Sequence, residues 1–174
     1  MPNSDTYVVD GISGILALSN TMIQDIELSQ GWNLISTYII PDYPNISDLF
    51  EPIINNLYLA KDEFGNVFWP EWDLNNIGEN TPGKAYKIKM NVDDTLQVRG
   101  AVADPLNYPL TLPDGWSYLG YLLSQNEDPS VILESIEDDI VLIKDAVGNI
   151  YFPEYNVNTM GDMIPGQGYQ IRMT

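Results

Sequence analysis

The chain has 174 residues and carries 25 Asp and Glu against 7 Lys and Arg, a net charge of −18, with neither His nor Cys. So few cations argue against nucleic acid, whose phosphates must be met by Lys and Arg, and against an anionic membrane surface. The missing Cys and His exclude disulfides, thiolate nucleophiles, Cys/His zinc sites and His general-base chemistry.

A hydrophobic content of 44% with 11 Tyr and 4 Trp marks a folded chain rather than an acidic disordered one. The N-terminus has no basic region before its apolar stretch, so it is not a Sec signal. Val8 to Leu18 is interrupted by Asp10, Gly11, Ser13 and Gly14, too short and polar for a membrane helix. The chain is expected to stay where it is made or to be an internal piece of something longer.

Residues 6–29 read as short strands split by an Asp10-Gly11 turn signal. Trp32 to Ile40 reads as one strand rich in β-branched and aromatic residues, ended by Pro41 and Pro44. Ser47 to Ile54 reads as a short helix with Ser47 as N-cap, kept short by Pro52. Leu57–Lys61 and Val67–Trp69 form a hairpin around Asp62 to Asn66, with Gly65 supplying a positive φ. Residues 73–83 form a polar loop, and Tyr86 to Met90 closes the unit as an alternating strand. Thr95 to Gly100 is a further strand candidate.

The second half repeats this order. Leu59 to Trp72 aligns with Leu142 to Tyr155 at a constant offset of 83 (144 − 61), which continues through Gly78/Gly161, Pro82-Gly83/Pro165-Gly166 and Tyr86/Tyr169. One insertion earlier, Gly31-Trp32 matches Gly115-Trp116. Ser130 to Ile136 lacks the helix-breaking proline of its partner and is expected to be the more regular helix. Each unit is near the size at which a lone core is marginal, so the two should pack on each other or on a partner. The expected fold is α+β, mostly β. It has two tandem β-α-β-β-β modules forming small, partly closed antiparallel sheets, related by an approximate rotation, with an N-terminal strand extension. The boundaries are 1–27 for the extension, 28–100 for module one and 101–174 for module two.

The ordered pattern Gly31-Trp32-Asn33-Leu34-Ile35-Ser36, Lys61-Asp62, Gly65-Asn66, Pro70-Glu71-Trp72, Pro82-Gly83 and Tyr86-Lys87-Ile88-Lys89-Met90, with its second copy ending in Tyr169-Gln170-Ile171, resembles a short module. That module occurs in large secreted and surface proteins of Bacteroidetes and in virion-associated proteins of marine bacteriophages. The resemblance covers about four-fifths of the chain. It brings no catalytic residue to carry over; the even duplication of the module is what points to a scaffold or binding role.

Asp62 and Asp145 could place carboxylates for Ca²⁺, but the EF-hand spacing is absent and turn chemistry explains them. Glu71 and Glu154 could form a glycosidase pair, yet their duplicated surroundings oppose the unequal protonation that such a pair needs. No catalytic, cofactor-binding or metal residue is assigned, and no cofactor is expected. Trp32 and Trp116 are expected as core anchors, as are Phe68 and Tyr151. The candidate interface residues are Ile15, Leu16 and Leu18 in the apolar N-terminal segment, and Trp69, Trp72, Phe152 and Tyr155 beside the paired prolines. The expected function is that of a non-enzymatic structural protein of a phage virion (a capsid decoration, tail or fibre-associated protein). Its partners would be other virion or surface proteins in oligomeric or lattice contacts, without nucleic acid or membrane insertion. An adhesive module of a secreted bacterial surface protein, extracellular or at the cell surface, is the alternative.

Overall fold

The computed structural model describes residues 21–174 in full, and residues 6–9 and 16–19 as backbone alone. The latter two are strands β1 (Thr6–Val9) and β2 (Leu16–Ser19), paired antiparallel. Ile15 and the Asp10-Gly11 turn lie outside the described residues, as do the side chains of Leu16 and Leu18.

The fold is mixed α+β and mostly β, with short helices and antiparallel sheets. In chain order follow β3 (Thr21–Leu28), β4 (Gly31–Ile35), β5 (Ile39–Pro41), helix α1 (Ile46–Leu49), β6 (Leu57–Lys61), β7 (Val67–Trp69), β8 (Leu74–Asn75), β9 (Tyr86–Met90) and β10 (Asp94–Val102). The second half contributes β11 (Gly115–Gly120), α2 (Pro129–Ile132), β12 (Ile140–Lys144), β13 (Ile150–Phe152), β14 (Val157–Asn158) and β15 (Gly168–Met173). Two five-stranded sheets have the orders β4-β9-β6-β7-β8 and β11-β15-β12-β13-β14. A third sheet, β3-β10-β5, has no counterpart in the second half among the described residues.

Local chemistry recurs between the halves. Asp62 Oδ1 accepts from the amides of Phe64 and Asn66, and Asp145 Oδ1 accepts from those of Val147, Gly148 and Asn149. Their Oδ2 atoms accept from Asn66 and Asn149 Nδ2. Both oxygens of each carboxylate therefore serve the hairpin turn. The Tyr86 and Tyr169 rings are buried, and their hydroxyls accept from the amides of Thr81 and Ile164 at 3.1 and 2.7 Å.

Several expectations need correction. Trp32 to Ile40 is two strands in different sheets, because Ser36 and Thr37 leave the ladder. Ser36 bonds across to the second half, and Thr37 Oγ1 donates to Gln24 Oε1 at 2.8 Å. The N-cap of α1 is Asn45, whose side chain accepts from the Ser47 amide; Asp128 does the same for α2. α2 is no more regular than α1, since each has 4 residues and α2 runs into a 3-10 stretch over Glu134–Asp139. Trp32 and Trp116 are not core anchors: they are 44% and 48% exposed on outer sheet faces. Phe68 and Tyr151 are buried as expected.

One hydrophobic cluster gathers Phe50, Ile53, Ile88 and Met90 with Ile26, Leu28, Leu96 and Val98 from β3 and β10. A second gathers Ile143, Tyr169, Ile171 and Met163. The first cluster thus uses β3, which runs from residue 21 to residue 28 across the expected edge of the N-terminal extension.

The halves meet through reciprocal backbone bonds: the Ser36 amide donates to Gly166 O at 3.0 Å, and the Gly120 amide to Gly83 O at 2.9 Å. A Cβ on Gly120 would lie 2.6 Å from the Gly83 carbonyl carbon and from Lys84 O, so only glycine permits this approach. Gly120→Ala should therefore lower unfolding free energy by about 1–3 kcal/mol or more, as overpacking does. Gly115→Ala tests a different cost, since Gly115 has open space but φ 91°. Chemical denaturation of both variants would measure each cost; a neutral Gly120→Ala would show that the junction yields.

Burial pushes the Tyr169 hydroxyl up to about 12. Burial, with the nearby Tyr169 and Glu127, pushes Tyr121 up to about 12 as well. Tyr151 is raised by burial and by its hydroxyl donating to Glu137. The unfolded chain releases these protons near the usual tyrosine value of about 10. Stability should be unaffected by these groups below about pH 10 and fall as pH rises towards 12, because the unfolded state then holds fewer protons. Absorbance at ~295 nm and circular dichroism, followed together over that range, should show late tyrosine ionisation coinciding with unfolding.

Candidate functional site

Charge is sorted by sheet. β4, β6, β7, β8 and β9 contain Lys61, Lys87 and Lys89 and no carboxylate residue; β11 to β15 contain Lys144 and Arg172 and none either. Five of the 7 cations thus sit on sheets free of Asp and Glu, while all 25 acidic residues lie elsewhere in the chain. The other two cations are ion-paired, Lys84 with Glu63 at 2.7 Å and Arg99 with Asp42 at 3.6 Å. The five on the sheets form no ion pair among the described residues.

Strand alternation creates these faces. Tyr86, Ile88 and Met90 point into the core, so Lys87 and Lys89 point out. Cross-strand pairing sets Lys89 beside Trp32 and Lys87 beside Lys61. The Nζ atoms of Lys61, Lys87 and Lys89 lie 5.1, 5.3 and 5.9 Å from the Trp32 ring centroid, and Lys89 lies 5.0 Å from the Tyr58 ring. On the second sheet Lys144 lies 4.5 Å from the Trp116 ring, and Arg172 pairs across from Trp116. The indole faces offset some of the mutual repulsion of the ammonium groups.

The aromatic residues singled out from the sequence adjoin these faces. Trp69 and Trp72 stack edge to face at 6.2 Å, and Phe152 and Tyr155 do so at 4.6 Å. Trp72 and Tyr155 are exposed on equivalent 3-10 turns, while Trp69 and Phe152 are half-buried. Trp69 also lies 5.5 Å from Tyr58, linking its pair to the lysine cluster. Glu71 and Glu154 are exposed on the same turns. The sequence reading missed the lysines as a group. The signal was there, in Lys87 and Lys89 alternating with core residues, but their gathering round Trp32 depends on strand order.

Between the halves, Glu63 reaches from the first hairpin into the second half. Its Oε2 accepts from the Tyr118 amide at 3.1 Å while its Oε1 holds Lys84. Offset by 83, the matching residues are Ala146 and Gln167, which can form no such bridge. A groove of about 400 Å³ opens there, lined in part by Trp32, Leu34, Asp25, Glu27, Ala146 and Gln167. No group of His, Cys, Asp and Glu suited to a metal ion occurs among the described residues. No helix among them is long and apolar enough to cross a membrane.

Removing the Glu63 bridge leaves a half-buried ammonium and an edge amide without an acceptor. Glu63→Ala should cost about 1–3 kcal/mol, the usual range for a charged hydrogen-bonded group. Glu63→Gln should recover part of that cost. Urea unfolding of the two variants measures both.

Compared with protein-family models, known proteins and solved structures, the chain matches none.

Proposed function

We propose that the chain is a non-catalytic structural protein that works by assembly, with two copies of one β-α-β-β-β module offering two cationic, aromatic sheet faces. The observation that carries this reading is the separation of charge: carboxylate-free sheets with five cations that form no ion pair among the described residues, on a molecule of net charge −18. Such faces complement the acidic remainder of another copy or of an acidic neighbour, and like-charge contacts elsewhere disfavour other arrangements. A contact between unlike patches is heterologous, so it propagates into rings or arrays rather than stopping at a dimer. Aromatic residues beside the cations supply the desolvated area that interfaces use.

The sequence resemblance supports a phage virion as the setting, with the protein as a capsid decoration, tail or fibre-associated component. The second reading, an adhesive module of a secreted bacterial surface protein, is supported by the same exposed Trp and Lys faces. These suit a glycan bearing carboxylate or sulfate groups.

Lys61→Glu/Lys87→Glu/Lys89→Glu separates the two. On the assembly reading, sedimentation at low ionic strength shows oligomers of the unaltered chain that dissociate at about 0.5 M salt, and the triple variant stays monomeric. A chain that is monomeric throughout but is stabilised against heat by anionic polysaccharide supports adhesion instead. Proteomics of purified particles beside secreted fractions tests the setting.

A further inference from the structure

The two cationic faces are not equal. On the first, Trp32, Lys89, Tyr58, Trp69 and Trp72 form a row in which neighbouring rings and ammonium groups lie 5.0 to 6.2 Å apart. Trp69 belongs to the outer face because its neighbour Phe68 is in the core. Tyr58 joins the row through a β-bulge. The pairing of β6 with β9 shifts between Leu57 and Leu59, and Tyr58 is the extra residue. Lys61 and Lys87 flank the Trp32 end of the row at 5.1 and 5.3 Å. In the second half the bulge recurs between Ile140 and Leu142, but its extra residue is Val141. Gln170 stands where Lys87 does, at the same offset of 83. Lys144 on Trp116 and Phe152 on Tyr155 are therefore two separate pairs, and Val141 supplies no ring to join them.

We propose that the outer face of the first sheet binds a linear polysaccharide bearing carboxylates, a uronate polymer, laid along the row from Trp32 to Trp72. Rings spaced in this way offer flat apolar faces to the C–H faces of successive pyranose units. The half-buried Lys61, Lys87 and Lys89, with no ion pair among the described residues, supply charge for the carboxylates. Beside Tyr58 opens a shallow recess of about 380 Å³, lined in part by Asn55, Pro70, Glu71 and Asn91. Its side-chain amides and carboxylate suit sugar hydroxyls. An acidic peptide would satisfy the lysines but would leave the ring row and this recess unused. Asp25 and Glu27 line the groove beyond the outer edge of β4, so the acid-free surface runs from Trp32 towards Trp69. Asp145 lines a recess with Lys87, with its carboxylate held by its own turn. This inference deepens the adhesive reading of the face and rests on it; assembly through the second face does not depend on it.

The probe is hexagalacturonate, titrated by calorimetry into the full chain at about 0.15 M salt. Maltohexaose is the uncharged control, and hexaglutamate is the charged control without sugar rings. The expected result is one site per chain for hexagalacturonate, with both controls at least about tenfold weaker. Tyr58→Val with Lys87→Gln gives the first face the residues of the second, where equivalent strand pairing already accommodates them. The pair should weaken binding by at least about tenfold while circular dichroism shows an intact fold. Trp72→Ala, at a position 69% exposed, should weaken it about threefold or more. No binding of hexagalacturonate overturns this inference and the adhesive reading together. Binding that is unchanged in both variants overturns the inference alone, since the glycan then sits elsewhere on the chain. Hexaglutamate bound as tightly as hexagalacturonate also overturns it and makes the occupant an acidic peptide.

Discussion

The junction between the halves rests on two backbone hydrogen bonds that run in opposite senses, Ser36 to Gly166 and Gly120 to Gly83. Each bond requires main chain to approach main chain with no side chain between. Gly120 and Gly168 allow it, since a Cβ on Gly168 would sit 2.6 Å from Ala85 Cβ. Around this seam Ile26 packs on Gly166 and Leu110 on Gly83, so the segment preceding each sheet is clamped by the other half. The orientation of both sheets, and hence of their outer faces, follows from this seam. The Glu63 bridge then makes its two sides unequal, and the groove is the result.

Sorting of charge is the second constraint. A chain this acidic could have scattered its few cations as partners for carboxylates, which at the surface would add little stability. Instead the two five-stranded sheets hold five cations in strands without Asp or Glu, none of them ion-paired among the described residues, and four of them lie against aromatic rings. This arrangement leaves electrostatic attraction for another molecule unspent within the fold. In the proposed assembly salt would therefore act on the faces more than on the fold, because the cores are apolar and the faces are not.

The repeat, the hairpin turns and most strands were legible because local rules govern them. Asp62 and Asp145 bond the next few amides, and Gly65 and Gly148 take the positive φ that their turns require. The faces were less legible. Trp32 follows a glycine at a strand start, as a core anchor can, but its outward position follows from Ile35, the core residue of β4, lying on the opposite face of the strand. The split of Trp32 to Ile40 was hidden because Ser36 and Thr37 have strand-compatible propensities, and only their partners 131 and 13 residues away redirect them. The groove was out of reach of sequence alone, since it depends on what Ala146 fails to fill across the seam.

The third sheet has a consequence for the order of events during synthesis. β3 and β10 pair from Leu28↔Asp94 to Thr21↔Ala101, so the first core cannot close until residues beyond 100 have left the ribosome. Ile26, Leu28, Leu96 and Val98 then complete it together. The second half has no such pair among the described residues and builds on Leu110 and Leu112 instead. A chain that ends between residues 60 and 94 lacks β10, and with it Leu96 and Val98, so its first core would be incomplete.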